Sequence, residues 1–164
     1  MKKVFALSVS LLVCMLIGFA CTKSSTTTNT TTASATTTSA PINTTVTNYT
    51  VDGTAASNPI SSTNNSSGDY LVTGIDGSHQ YPKIEIVFPG TSSPVSNTYA
   101  IVNTGASPAA GTCKLILVTT SGSYPASSGN VTVAAGASSS AQFSNITCSG
   151  SGTTHTVTGN VKWP

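Results

Sequence analysis

From Tyr49 onward, apolar residues recur at every second position, in short runs bounded by clusters of Gly, Pro, Asn and Ser. This is the period of a half-buried strand, and no window carries the 3.6-residue period of a helix. The pattern predicts strands over 48–52, 69–75, 83–88, 98–102, 113–119, 130–134, 141–149 and 153–163. In the third of these, Ile84, Ile86 and Phe88 face one way while Lys83 and Glu85 face the other. In the last, His155, Val157, Gly159, Val161 and Trp163 share a face, opposite Thr154, Thr156, Thr158, Asn160 and Lys162. Asp76-Gly77 and Pro89-Gly90 are turn signals, and Pro82 can open a strand but not sit inside a central one. Leu115, Ile116, Leu117 and Val118 break the alternation, which predicts a central strand covered on both faces. Seven to nine short strands with Gly-rich turns predict an all-β domain over 49–164, an antiparallel β-sandwich or small open barrel.

The first 48 residues read differently. A basic start, Met1-Lys2-Lys3, precedes an apolar stretch over 4–20 and then Cys21, the layout of a bacterial export signal. Gly18-Phe19-Ala20-Cys21 resembles a lipobox, with Gly18 where a Leu-like residue is usual, so 1–20 is expected to be a lipoprotein signal peptide and Cys21 the lipidated residue. The same residues satisfy the small-x-small rule of ordinary secretory cleavage, under which Cys21 would be a free thiol on a secreted protein. The apolar stretch is short for a membrane span of about 20 residues. Cys14 is discarded under either reading. Over 22–48, 20 of 27 residues are Ser, Thr or Asn, too little apolar content to offset the entropy of ordering. With Cys21 this segment is expected to be a disordered tether, spanning on the order of 30 Å, and to pack against nothing.

Processing changes the charge. Removing Lys2 and Lys3 leaves four Lys against four acidic residues, and Arg does not occur. Lys23, Lys83, Lys114 and Lys162 are scattered, so no basic stripe exists to displace phosphate counterions, and nucleic acid is not an expected partner. Charged residues make up 6% of the chain, against a usual share of about 25%, and Ser, Thr and Asn carry the solubility.

Cys113 and Cys148 are the only cysteines of the β domain. In an oxidising compartment they are expected to form a disulfide, worth about 4 kcal/mol for a loop of this length. The competing reading is a metal site with His79 or His155, for which the close cysteine spacing of structural metal sites is missing. No cofactor is expected. The mature carboxylates are Asp52, Asp69, Asp76 and Glu85. Asp52 and Asp76 each precede Gly, where turn chemistry explains an Asp; no spacing suggests the convergent pair of a glycosidase, and no Gly-x-Ser-x-Gly elbow leads into a helix. His79 reads as an exposed turn residue and His155 as a structural or rim histidine. The expectation is a protein that is not an enzyme.

The aromatics leave room for binding. Tyr81 and Tyr124 each precede Pro in turn-like surroundings, where an exported β domain can carry a ligand-stacking platform; the alternative is ordinary capping of the fold's ends by Tyr hydroxyls. Trp163 shares parity with Val157 and Val161 and is expected to plug the core. Tyr49-Thr50-Val51-Asp52-Gly53, Tyr70-Leu71-Val72-Thr73-Gly74 and 83–90, with the closing 143–147 and 155–161, resemble small β-rich lipoproteins of Bacteroidetes-type bacteria. The resemblance implies fold and location and supplies no site residue. With no acidic residue soon after Cys21, it implies a lipid-anchored protein of the outer membrane facing the periplasm, with secretion or surface display as the alternative. Two functions follow: a non-catalytic structural or accessory lipoprotein of the cell envelope, contacting envelope proteins, or a carbohydrate- or ligand-binding β module displayed on a lipid-anchored stalk.

Overall fold

The structure, a computed structural model, describes residues 46–164; the predicted signal peptide 1–20, Cys21 and the predicted tether up to residue 45 lie outside the described residues, while the tether's last residues, expected to pack against nothing, join the domain, with Thr47 buried and Asn48 opening the first strand. Among the described residues there is no helix, and the strands number eleven: β1 (Asn48–Val51), β2 (Thr54–Ala55), β3 (Ile60–Ser66), β4 (Asp69–Ile75), β5 (Lys83–Pro89), β6 (Asn97–Ile101), β7 (Thr112–Thr119), β8 (Gly122–Pro125), β9 (Asn130–Ala134), β10 (Ser139–Gly150) and β11 (Thr153–Trp163). They form one curled, open sheet in the order β2-β1-β11-β10-β9-β6-β7-β5-β4-β3, with β8 also on β7.

Alternation explains the well-marked strands. In β5, Ile84, Ile86 and Phe88 are fully buried while the residues between them are half-buried. In β11, Val157, Val161 and Trp163 are buried. All the buried apolar residues belong to a single core cluster, and each large one contributes about 1.5–3 kcal/mol relative to exposure. Curling brings the ends of the strand order together. The Ser61 hydroxyl of β3 donates to the Lys162 carbonyl of β11, and the Tyr49 hydroxyl of β1 donates to the Pro82 carbonyl at 2.5 Å. At one end Phe88 meets Tyr99 edge to face at 5.0 Å and Trp163 at 6.5 Å. The Trp163 indole donates to Ser93 Oγ at 3.2 Å, so Trp163 does plug the core.

Four expectations need correction. The strands number more than seven to nine, because β2, β3 and β8 escape the alternation. β3 reads Ile-Ser-Ser-Thr-Asn-Asn-Ser and is exposed along most of its length, so no apolar period marks it. The sheet is not wholly antiparallel: β6 joins β7 in parallel through Ala100↔Thr112 and Ile101↔Cys113. β7 is central in pairing, with β5 on one edge and β6 and β8 sharing the other. Its Cys113, Leu115 and Leu117 are fully buried, yet Ile116 and Val118 are only half-buried, so its second face is not fully covered.

The fourth correction concerns the cysteines. Cys113 and Cys148 are both free and fully buried. The Cys148 thiol lies against the Leu117 backbone, and its residue bridges to Ala126. Cys113 stands four residues back along the same strand, roughly 13 Å away at ~3.3 Å per residue. A disulfide needs Cα atoms within about 7 Å. Burial pushes the Cys113 thiol up to about 12. Burial likewise pushes Cys148 up to about 11, against a smaller opposing effect of the Leu117 backbone. Both behave as small core hydrophobes.

Candidate functional site

The turn from Asp76 to Pro82 is built around one carboxylate. Asp76 has 5% of its side chain exposed. Its Oδ1 accepts from the Ser78 N–H at 2.9 Å and the His79 N–H at 3.0 Å, and lies 3.2 Å from His79 Nδ1. Oδ2 accepts from the Ser57 N–H at 2.9 Å. The loop is stitched further by Gly77 N–H to the Ser57 carbonyl (3.1 Å) and Gln80 N–H to the Asp76 carbonyl (2.8 Å). An Asp ahead of Gly-Ser is suited to this, since its short side chain reaches backbone amides two and three residues on. The Ser57 amide first, with the His79 and Ser78 amides and the His79 ring, holds the Asp76 carboxyl below the usual carboxylate range, against an opposing effect of burial. Burial, with the nearby Asp76 charge, raises the Tyr49 hydroxyl above its ordinary value.

This clamped turn forms one wall of a groove of about 430 Å³, whose other walls come from Val51, Thr54 and Ala55 of β1 and β2 and from Thr119 and Thr120 at the end of β7. Tyr81, half-buried and joined to Pro82 by a cis peptide, lines it together with His79. Lys83 Nζ sits over the Tyr81 ring, 4.9 Å from its centre, a cation–π contact worth about 0.5–1 kcal/mol at an exposed site. The His79 side chain is 69% exposed. The Asp76 carboxylate is consumed by the turn. The groove therefore offers one phenol ring, one imidazole, threonine hydroxyls and an apolar surface from Val51, Ala55 and Pro82. That combination suits a neutral ligand with an apolar face and a hydroxyl edge.

The second predicted platform is absent. Tyr124 is 5% exposed and meets the His155 ring edge to face at 4.6 Å. Its ring packs inward, because the β8–β7 pairing turns Tyr124 toward Leu117. The structure does not bring Tyr81 and Tyr124 into one site. A pairing that sequence spacing missed joins Asp52 to His155, with Oδ2 2.7 Å from Nδ1, while Asp52 Oδ1 accepts from the Thr156 N–H at 2.8 Å. The His155 hydrogen bond first, then the Thr156 amide, lower the Asp52 carboxyl. This pair ties the β1–β2 turn to β11. Asp69 opens β4 and Glu85 lies mid-β5. No group of three or more His, Cys, Asp or Glu side chains suited to a metal ion occurs among the described residues. Compared with protein-family models, curated proteins and solved structures, the chain matches none.

Proposed function

We propose that this chain is a non-catalytic binding module of the cell envelope, lipidated at Cys21 and held off the outer membrane by its Thr/Ser/Asn-rich segment, that takes a neutral saccharide in the Tyr81 groove. The observation that carries the reading is a groove within the usual range of small-ligand sites, about 300–1,000 Å³, with Tyr81 on a wall already fixed by the Asp76 hydrogen bonds. A pre-fixed wall lowers the ordering cost of binding. A glycan array followed by calorimetry tests it. Neutral oligosaccharides should bind the wild type, and Tyr81→Ala should weaken them at least tenfold, about 1.4 kcal/mol, while melting close to wild type. Absence of any neutral glycan ligand, or undiminished binding by a folded Tyr81→Ala protein, removes the proposal.

Location has its own test. Intact mass and detergent partitioning should find lipid on wild-type protein and none on Cys21→Ser. A wild-type protein that stays wholly aqueous and begins unmodified at Cys21 is incompatible with the anchor.

A further inference from the structure

A second cleft, of about 450 Å³, opens where β10 parts from β9. The two strands pair only through Ser140↔Ala134, Ala141↔Val133 and Gln142↔Thr132. β10 next meets a neighbour on that side at Cys148, which bridges to Ala126 beyond β8. Between these points the edge of β10 from 143 to 147 has no strand partner. It is five residues long, or about 17 Å at strand rise. An unpaired sheet edge is a template for another strand.

The stretch is held in shape. β10 carries a register shift between Phe143 and Ile146, with Asn145 at φ 50°. Thr158 Oγ1 locks this bulge, accepting from the Asn145 N–H at 2.9 Å and donating to its side-chain carbonyl at 3.3 Å. Across the cleft, Gly129 lies so near Ile146 that a Cβ there would come within 2.5 Å of the Ile146 side chain. Backbone alone fits at that point. Bulges of this kind commonly end pairing or re-aim side chains beside functional sites.

The lining selects against charge. Ser128, Asn130, Thr132, Gln142, Asn145 and Thr147 all face it, and none is ionisable. A charged segment would meet no counter-charge there, whereas the N–H and C=O groups of an uncharged extended peptide match the open edge. We infer that the cleft between β9 and β10 takes an extended, uncharged segment of a partner polypeptide as an added strand on β10. Recognition is through main-chain hydrogen bonds and is tolerant of side-chain sequence. The site is separate from the Tyr81 groove and stands or falls independently of it.

The probe is an acetylated, amidated peptide of alternating Thr and Gln, about 12 residues long, which has no charge, Pro or Gly and is rich in β-branched Thr. Hydrogen exchange of the mature protein is measured with and without millimolar peptide. Amides within 143–147 should exchange at least tenfold more slowly when it is bound, and a scrambled peptide should protect them equally. A peptide N-methylated at alternate residues, which cannot donate to the edge, should bind at least tenfold more weakly. Absence of protection at 143–147 overturns the inference, as does protection confined to the outer edge of β3. Equal binding by the N-methylated peptide also overturns it, since recognition would then not run through the main chain.

Discussion

Removing Val46 and Thr47 from the start of the domain should cost far more than their composition suggests. Thr47 is buried. Its hydroxyl accepts from the Lys162 N–H at 3.1 Å and donates to the Lys162 carbonyl at 3.4 Å. The buried Asn160 amide donates to the Val46 carbonyl at 2.6 Å. Three hydrogen bonds between the leading residues and β11 are therefore lost when the chain starts at Asn48. Each neutral bond contributes about 0.5–1.5 kcal/mol net, with more at stake for a buried amide left unpaired. A total of about 2–3 kcal/mol follows, softened by water at the rim. In a domain of this size that lowers Tm by roughly 8–12 °C. Calorimetry of chains beginning at Val46 and at Asn48 measures the difference directly, and Thr47→Ala in the longer chain should account for about 1 kcal/mol of it. If the two chains melt within about 2 °C of each other, the three contacts contribute nothing and the reasoning fails.

Two further outcomes follow from buried groups and clamped carboxylates. At pH 8 an ordinary thiol is partly thiolate, whereas Cys113, raised to about 12, is ionised roughly a thousandfold less; iodoacetamide should leave Cys113 and Cys148 unlabelled in the native protein and label both after unfolding, and isolation of a Cys113–Cys148 cross-linked peptide would contradict this. Asp52 and Asp76 have lowered folded pKa values, so near pH 3–4 the folded state binds fewer protons than the unfolded state. Their contribution is present above about pH 4 and is lost as pH falls toward the folded values. Chemical denaturation from pH 2 to 5 should show a steep acid limb that flattens in Asp52→Asn/Asp76→Asn, and an unchanged slope in the double variant would assign that limb to other groups.

Strands that border the core on one face were legible in sequence, because burial forces a period of two on them: β5 carries it without a break, and β11 carries it through Val157, Val161 and Trp163, interrupted at buried Asn160. The strands that escaped detection are those whose pairing does not depend on apolar side chains. β3 holds its place through seven backbone pairings with β4 while presenting Ser, Thr and Asn to water. β8 has one buried side chain, Tyr124, and four residues in which to show a period. β7 misled in the opposite direction. Its continuous apolar run suggested cover on both faces, although Ile116 and Val118 are tolerated half-exposed while Leu115 and Leu117 alone reach the core. The disulfide expectation came from compartment chemistry, which says that two thiols can oxidise but not where the strands put them. Cys148 on β10 lies against Leu117, four residues along β7 from Cys113, and that placement depends on how β8 and β10 meet β7, a long-range property of the sheet.

The groove was less legible than the fold for a related reason. Tyr81 could be singled out because Tyr-Pro in a turn is a local signal, and Asp76-Gly77 announced the turn itself. Val51, Ala55, Thr119 and Thr120 carry no local mark, since they become walls only when the curled sheet brings β1, β2 and the end of β7 beside the 76–82 loop. Tyr124-Pro125 has the same local signature as Tyr81-Pro82 and the opposite fate. Tyr124 falls on the inward parity of β8 and is consumed by the core and by His155, whereas Tyr81 precedes the first residue of β5 and escapes that parity. Local turn chemistry thus nominates residues equally, and strand register selects among them. The same holds for the carboxylates. Asp52 and Asp76 both read as turn residues, and both are, but register gives the first a histidine partner 103 positions away and the second the backbone of Ser57. A carboxylate so occupied stabilises the loop it sits in and is not free for a ligand, so the proposed saccharide and strand recognition rests on neutral side chains and on the open edge of β10.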